Sequence, residues 1–278
     1  MPELPEVEVI SQGLAQALTG QRIRAVRVLD RMALEQPVAA FQRLVQGRRV
    51  ARVWRRAKLV LLDLADGRPD SRTTLAVHLR MTGRLVALAK AEPLPDERFA
   101  RVLFELASGG RLAFLDVRRF GRCLAFGPGG LAAWPFFAAL GPEPLDLDAA
   151  AFTARLAGRR GRIKPLLLDQ TVVAGIGNIY ADESLFRAGI RPQARVADLG
   201  PERLARLHAC LVAVLAEAIA ANGSSIRDYR DSGGRVGAFQ NSFRVYGRAG
   251  LPCLQCGKKL KKSTLSGRTT TFCTTCQA

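Results

Sequence analysis

The chain has no long apolar run. Its most apolar helical stretch, Leu211 to Ala221, is short and carries Glu217, so no membrane span is expected. The opening residues are acidic and no apolar segment follows a basic start, so an export signal is not expected and the reading is cytoplasmic. Acidic residues are scarce: 24 Asp and Glu stand against 42 Lys and Arg, leaving +18 and a pI near 10.9. Such a charge does not help a fold, but it attracts a polyanion and makes that attraction salt-dependent. From Gly223 to the end, ten Lys/Arg face two Asp/Glu, which predicts a basic C-terminal domain. Internal repeats and low-complexity tracts are missing. The glycine-rich Gly175-Ile176-Gly177-Asn178 lacks the Walker lysine-serine pair and does not form a Rossmann unit.

Cysteine is present in a telling pattern. Cys253-x2-Cys256 and Cys273-x2-Cys276, with sixteen residues between the pairs, match a closed four-cysteine zinc site of structural type. The alternative is two disulfides, which a cytoplasmic chain disfavours. Between the pairs lie Lys258, Lys259, Lys261, Lys262 and Arg268, so the hairpin is either a DNA-contacting element or a plain structural cap. Cys123 and Cys210 read as small buried hydrophobes.

A length of 278 residues suggests two domains. Val7, Ile10, Leu14, Ala17 and Leu18 predict a helix with Pro5 in its first turn and Gly20 at its end. Strands are predicted at Ile23–Val28, where the alternation is imperfect, and at Val50–Trp54, Leu59–Leu64, Thr74–Leu79, Val102–Leu106 and Leu112–Leu115. Many short strands behind one helix suggest a β-sandwich. The domain boundary falls between Gly127–Gly130 and Gly141–Pro144. The second half is helical: one helix opens at Pro201 and closes at Asn222-Gly223, and its His208 reads as a core or helix-face residue.

Removal of Met1 would leave Pro2 as a secondary amine at the head of the first helix. An α-amino group titrates at roughly 7.7–8.0, so it supplies neutral amine near neutrality, and a neutral amine can form an imine. The helix end lowers that pKa while Glu3 and Glu6 raise it. The plainer reading of Glu3, Glu6 and Glu8 is an acidic first turn that complements the helix dipole.

Further along, the glycines of Gly175–Asn178 free backbone N–H groups to face an anion, with Lys164 on the preceding helix. Lys58 stands before the strand Leu59–Leu64, where a solvated lysine is the ordinary case. His78–Gly83 and Asp116–Gly121 each end a strand and place Met81 or Phe120 beside arginine. Apolar wedges beside basic residues can kink a duplex, and ordinary core packing explains them equally well.

These motifs together resemble the formamidopyrimidine-DNA glycosylases. The resemblance rests on Pro2–Glu8, Lys58, His78–Gly83, Arg118-Arg119-Phe120-Gly121, Ile163-Lys164-Pro165, Gly175–Leu185, Val245–Arg248 and the four cysteines. It implies an α+β fold: an N-terminal helix plus antiparallel β-sandwich (1–130), a linker (131–147), a helix-two-turn-helix domain (148–244) with a lesion-capping loop at about 224–240, and a zinc finger (245–278). It implies excision of oxidised purines such as 8-oxoguanine and formamidopyrimidines, followed by β,δ-elimination. Pro2 is the implied nucleophile, Glu3 the general acid/base and Glu6 a supporting carboxylate. Lys58 serves β-elimination and Arg268 δ-elimination. Met81, Arg118 and Phe120 fill the gap left by the flipped base, and His78, Arg159, Lys164, Asn178 and Tyr246 contact the DNA.

One structural Zn2+, no organic cofactor, a monomer and double-stranded DNA with oxidised bases or abasic sites are the implied cofactor and partner set. The chain departs from the family pattern at Arg98, Phe99 and Arg101, where histidines are common and where Arg101 is the substitute contact, and at Gly267, where a glutamine commonly precedes the arginine. The rival readings are an endonuclease VIII-like enzyme for oxidised pyrimidines and a non-catalytic zinc-containing DNA binder.

Overall fold

Val7, Ile10, Leu14 and Leu18 fall on one face at helical spacing, and α1 (Leu4–Leu18) buries them in the computed structural model, which describes residues 2–68, 71–226 and 229–278. Pro5 lies in the first turn, where its missing N–H costs nothing, and Gly20 (φ 85°) follows the last turn. The residues group into two units, Met1–Ala138 with Asn222–Ala238, and Ala139–Ala221 with Phe239–Ala278. The segment after Gly223 thus returns to the first unit, whereas the sequence reading kept it with the helices.

The first unit contains β1 (Ile23–Val28), α2 (Val38–Val45), β2 (Arg49–Arg56), β3 (Leu59–Ala65), β4 (Thr73–His78), β5 (Gly83–Leu88), β6 (Ala100–Leu106), β7 (Arg111–Asp116) and β8 (Arg122–Phe126). They form two antiparallel four-stranded sheets, ordered β2-β3-β4-β8 and β1-β6-β7-β5. Val60, Leu62, Leu75 and Val77 of one sheet and Val102, Phe104, Leu112 and Phe114 of the other share one buried cluster with α1 and Phe41 of α2. A register shift between Ile23 and Ala25 explains why the alternation of β1 is imperfect. β5, β8 and α2 were not expected. Gly83 reads as a turn residue, yet it begins β5, where an added Cβ would meet the Leu79 carbonyl oxygen at 2.4 Å.

Two one-turn helices, α3 (Gly130–Ala133) and α4 (Pro135–Ala138), occupy the start of the expected linker, with Trp134 packed on Phe126 and Phe136. The second unit contains α5 (Ala149–Leu156), α6 (Ile163–Leu168), α7 (Asn178–Arg187) and α8 (Pro201–Ala220), followed by the hairpin β9 (Lys261–Leu265) and β10 (Arg268–Phe272). His208 is buried on α8 beside Phe152, its Nε2 3.0 Å from the Pro144 carbonyl. Cys123 is fully buried in the sandwich core, whereas Cys210 is only half-buried. Among the described residues, no helix is long and apolar enough to cross a membrane.

Candidate active site

In the first unit, Pro2, Glu3 and Glu6 are all buried at the head of α1. Met1 lies outside the described residues, so its expected removal has no structural counterpart. Glu3 is the N-cap, and its N–H donates to Glu6 Oε2 at 2.8 Å as part of a reciprocal capping box. The other Glu6 oxygen, Oε1, accepts the Ser224 N–H at 2.8 Å. Gly223 (φ 78°) brings that amide in, since a Cβ there would stand 3.0 Å from Glu6 Cγ. The Tyr229 hydroxyl reaches the Glu6 carbonyl at 3.4 Å, and burial, then Glu6, raise its pKa. The acidic first turn is therefore more than a dipole complement: its carboxylate ties the helix head to the returning segment. Residues 227 and 228 of the expected lesion-capping loop are outside the described residues.

Lys58 is buried at the start of β3, directly after Ala57 in a left-handed conformation (φ 52°). The tight turn is fastened to α1 by Arg55, whose Nε donates to Glu8 Oε2 at 2.7 Å. A lysine expected at an exposed strand end thus belongs to the same buried region as α1.

The β4–β5 and β7–β8 connections both join one sheet to the other at the same end of the sandwich. His78 closes β4; its Nδ1 accepts the Arg80 N–H at 3.1 Å, which leaves the ring proton on Nε2. Burial, then the charges of Arg80 and Lys58, lower its pKa to about 3, so the ring is neutral near pH 7. Met81, Arg118 and Phe120 are exposed, and they touch: Arg118 Nη1 lies 3.1 Å from Met81 Sδ and its guanidinium 4.7 Å from the Phe120 ring centre. Arg101, expected as a substitute DNA contact, is instead buried, donating to the Asp116 carbonyl at 2.8 Å and facing Asp30. Its charge is spent inside the protein.

In the second unit, the structure corrects the expectation for Lys164. Its ammonium is fully buried against Asp182 Oδ1 (2.7 Å), Thr270 Oγ1 (2.7 Å) and the Thr269 carbonyl (3.2 Å), an arrangement that leaves it poorly placed to meet a phosphate directly. Burial pushes the Asp182 carboxyl up to about 6 although Lys164 draws it down. Asn178 opens α7 and donates from Nδ2 to the Thr269 carbonyl at 2.9 Å. The N–H of Gly175, expected to face an anion, donates to Gln170 Oε1 at 2.9 Å instead.

Tyr246 is held by a residue to which the sequence reading gave no role: Glu183 accepts the N–H groups of Arg244, Val245 and Tyr246 at 2.7–2.9 Å. Apart from being an acid beside Asp182, it carried no signal in the sequence. Arg159 is half-buried just beyond α5, its Nε donating to the Arg155 carbonyl at 2.9 Å.

The four sulfurs of Cys253, Cys256, Cys273 and Cys276 lie within 4.8 Å of one another. Cys253 and Cys276 are 3.9 Å apart and Cys256 and Cys273 3.5 Å. A tetrahedral zinc with Zn–S of about 2.3 Å spaces its sulfurs by about 3.8 Å, so the cluster fits that ion. Phe186, Val245 and Leu260 pack around the buried Cys253 and Cys273. Ser266 (φ 46°) and Gly267 (φ 71°) form the two-residue hairpin turn, whose left-handed backbone suits glycine, and Arg268 follows, exposed.

Three family models match in order: the formamidopyrimidine-DNA glycosylase N-terminal domain over residues 1–123, its H2TH domain over 140–230, and the zinc finger found in FPG and IleRS over 250–278. The formamidopyrimidine-DNA glycosylase of Nitratidesulfovibrio vulgaris is 44% identical, with 100% of both chains covered. That of Moorella thermoacetica is 47% identical over 94% of each. The crystal structure of MutM (FPG) from Thermus thermophilus aligns with a TM-score of 0.86 at 40% identity, covering 99% of this chain and 98% of that one. A Lactococcus lactis FPG mutant in complex with a Fapy-dG-containing DNA aligns at 0.89 and 32% identity, with 99% of each chain covered. An α1-headed antiparallel sandwich, an H2TH helical unit and a four-cysteine hairpin, matched along the whole chain, place this protein in the formamidopyrimidine-DNA glycosylase family, glycosylases with lyase activity that act in base-excision repair of damaged DNA.

Proposed function

We propose that this chain excises oxidised purines, 8-oxoguanine and formamidopyrimidines, from duplex DNA through a Schiff base on Pro2, then cuts the strand by β,δ-elimination. The observation that carries the reading is the buried Pro2–Glu3–Glu6 head of α1, with Glu6 fixed from both sides by Glu3 and Ser224. Once Met1 is gone, the neutral Pro2 nitrogen attacks C1′ of the flipped nucleotide, and the C1′–base bond breaks with its electrons leaving on the base. Glu3 takes up the proton that the Pro2 nitrogen loses and delivers it to the sugar ring oxygen, so the ring opens to the iminium. Loss of the acidified C2′ proton expels the 3′ phosphate, with Lys58 as the acid of that step. A second elimination, assisted by Arg268, expels the 5′ phosphate.

Met81, Arg118 and Phe120 fill the vacated stack, with Arg118 facing the estranged cytosine. Neutral His78 offers its Nε2 proton to a phosphate, and Arg159, Asn178 and Tyr246 hold others. Lys164 acts from inside, by fixing the β10 strand that starts at Arg268. Zinc held by Cys253, Cys256, Cys273 and Cys276 supplies structure and no reaction step.

The Fapy-dG DNA bound by the Lactococcus lactis protein supports the purine preference. Excision rates on 8-oxoguanine opposite cytosine and on thymine glycol test it. A strong preference for thymine glycol overturns the purine reading in favour of the endonuclease VIII-like one. Binding without a borohydride-trapped adduct on any substrate leaves the non-catalytic reading.

A further inference from the structure

We infer that Asp116, acting through Thr82, is a positioning residue that locks Met81, Arg118 and Phe120 into one wedge and thereby sets discrimination of the base opposite the lesion. The inference rests on the reading of those three side chains as the wedge.

Asp116 ends β7 and is 1% exposed, at the seam where the two inter-sheet connections meet. Its Oδ1 accepts the Thr82 hydroxyl (2.5 Å) and the Arg118 N–H (3.1 Å), and its Oδ2 accepts the Gly121 N–H (2.7 Å). The Thr82 oxygen in turn accepts the Arg118 N–H at 3.2 Å. One buried carboxylate therefore holds both loops, and the threonine links the loop of Met81 to the backbone of Arg118.

Both loops need holding. Each contains a non-glycine residue in the left-handed region, Arg80 (φ 52°) in one and Arg119 (φ 59°) in the other, a conformation that an unrestrained arginine leaves readily. Gly121 permits the close approach: a Cβ there would meet the Phe114 ring at 2.6 Å and stand 3.1 Å from Asp116 Oδ2. Behind the carboxylate, Arg101 donates to the Asp116 carbonyl, and Asp30 pairs with Arg119 Nε at 3.1 Å. The exposed contacts of Arg118 with Met81 and Phe120 are weak and surrounded by water. The buried anchor, not these contacts, keeps the three side chains in register. A wedge held in one geometry can distinguish cytosine from adenine across the gap, whereas a loose one fills the gap without reading it.

Thr82→Val keeps the shape and removes the hydroxyl; Thr82→Ser restores it; Asp116→Asn replaces one acceptor oxygen by a donor. The measurement is single-turnover excision of 8-oxoguanine opposite cytosine and opposite adenine, with melting temperatures alongside. Thr82→Val is expected to lower excision opposite cytosine by about tenfold, the scale of one lost charge-assisted hydrogen bond, and to bring the cytosine-to-adenine ratio towards one. Thr82→Ser recovers both. If Asp116→Asn does not fold, the threonine pair decides alone. A Thr82→Val protein that keeps the wild-type ratio, even with a lowered melting temperature, overturns the inference and leaves Asp116 a merely structural residue. If wild-type protein traps no adduct on either duplex, it is the underlying enzymatic reading that fails.

Discussion

Glu6 Oε1 accepts the backbone N–H of Ser224 at 2.8 Å, joining the first turn of α1 to a residue 218 positions further along the chain. The same carboxylate's second oxygen caps Glu3, so one side chain sets the helix head and the segment that returns over it.

Gly223→Ala should disturb both at once. Its φ of 78° strains alanine, and the new methyl would stand 3.0–3.1 Å from the Glu6 side chain. We expect a loss of about 1–2 kcal/mol in stability, from the left-handed backbone and the crowding, and a larger fall in excision than in DNA binding. Chemical denaturation and single-turnover kinetics check it. Unchanged excision would show that the Glu6 geometry does not matter to the chemistry.

His78 gives a pH signature. Its folded pKa is about 3 against an ordinary 6.5, because burial, then Arg80 and Lys58, oppose the imidazolium. Between those values the unfolded chain binds a proton that the folded chain does not, so this group costs stability as pH falls below 6.5. Asp182 works the other way, because its folded carboxyl titrates at about 6, above its ordinary 3.8, and favours the folded state as pH falls. The histidine is isolated by difference. Wild type should lose stability relative to His78→Gln by up to about 1.4 kcal/mol per pH unit below 6.5. Denaturation at pH 7, 6 and 5 measures this, and a gap that stays constant with pH contradicts it.

Lys164→Ala removes one partner of a fully buried ion pair, and we expect about 3–5 kcal/mol of destabilisation, since Asp182 then loses its main counter-charge. Pairing Lys164→Met with Asp182→Leu should recover most of that stability. The double variant should still cut DNA poorly if the pair's task is to seat Thr269, Thr270 and, through them, Arg268. Wild-type cutting by a stable double variant would remove Lys164 from the functional account.

Cys256→Ser, or chelation, should release the hairpin and abolish DNA binding, because the four sulfurs close around one ion and the cluster of Phe186, Val245 and Leu260 is built around two of them. Metal content, measured by elemental analysis, should fall with binding in parallel. Full-strength binding by metal-free protein contradicts this.

Much of the fold was legible because its signals are local. The helical spacing of Val7, Ile10 and Leu14, the strand runs around Leu59–Leu64 and the Cys-x2-Cys spacing each depend on near neighbours only. What escaped depends on contacts between distant residues. β5 was hidden because Gly83 reads as a turn, and the tight seat under it is visible only in three dimensions. Lys164 and Arg101 announce charge in the sequence but not burial, so the first reads as a phosphate contact and the second as a substitute DNA contact although both face inward. Asp116, Glu183 and Ser224 had no signal beyond their residue type. Their roles come from the backbone N–H groups that the fold brings to or takes from them.

The central claim is that the Pro2 amine is the nucleophile, and the most direct measurement locates the covalent bond. Wild-type protein is reacted with 8-oxoguanine duplex under borohydride and digested, and the DNA-linked peptide is sequenced by mass spectrometry. The account predicts one reduced adduct on the nitrogen of Pro2, only in chains that have lost Met1. An adduct on Lys58 or any other lysine, or trapping by chains that retain Met1, would contradict it.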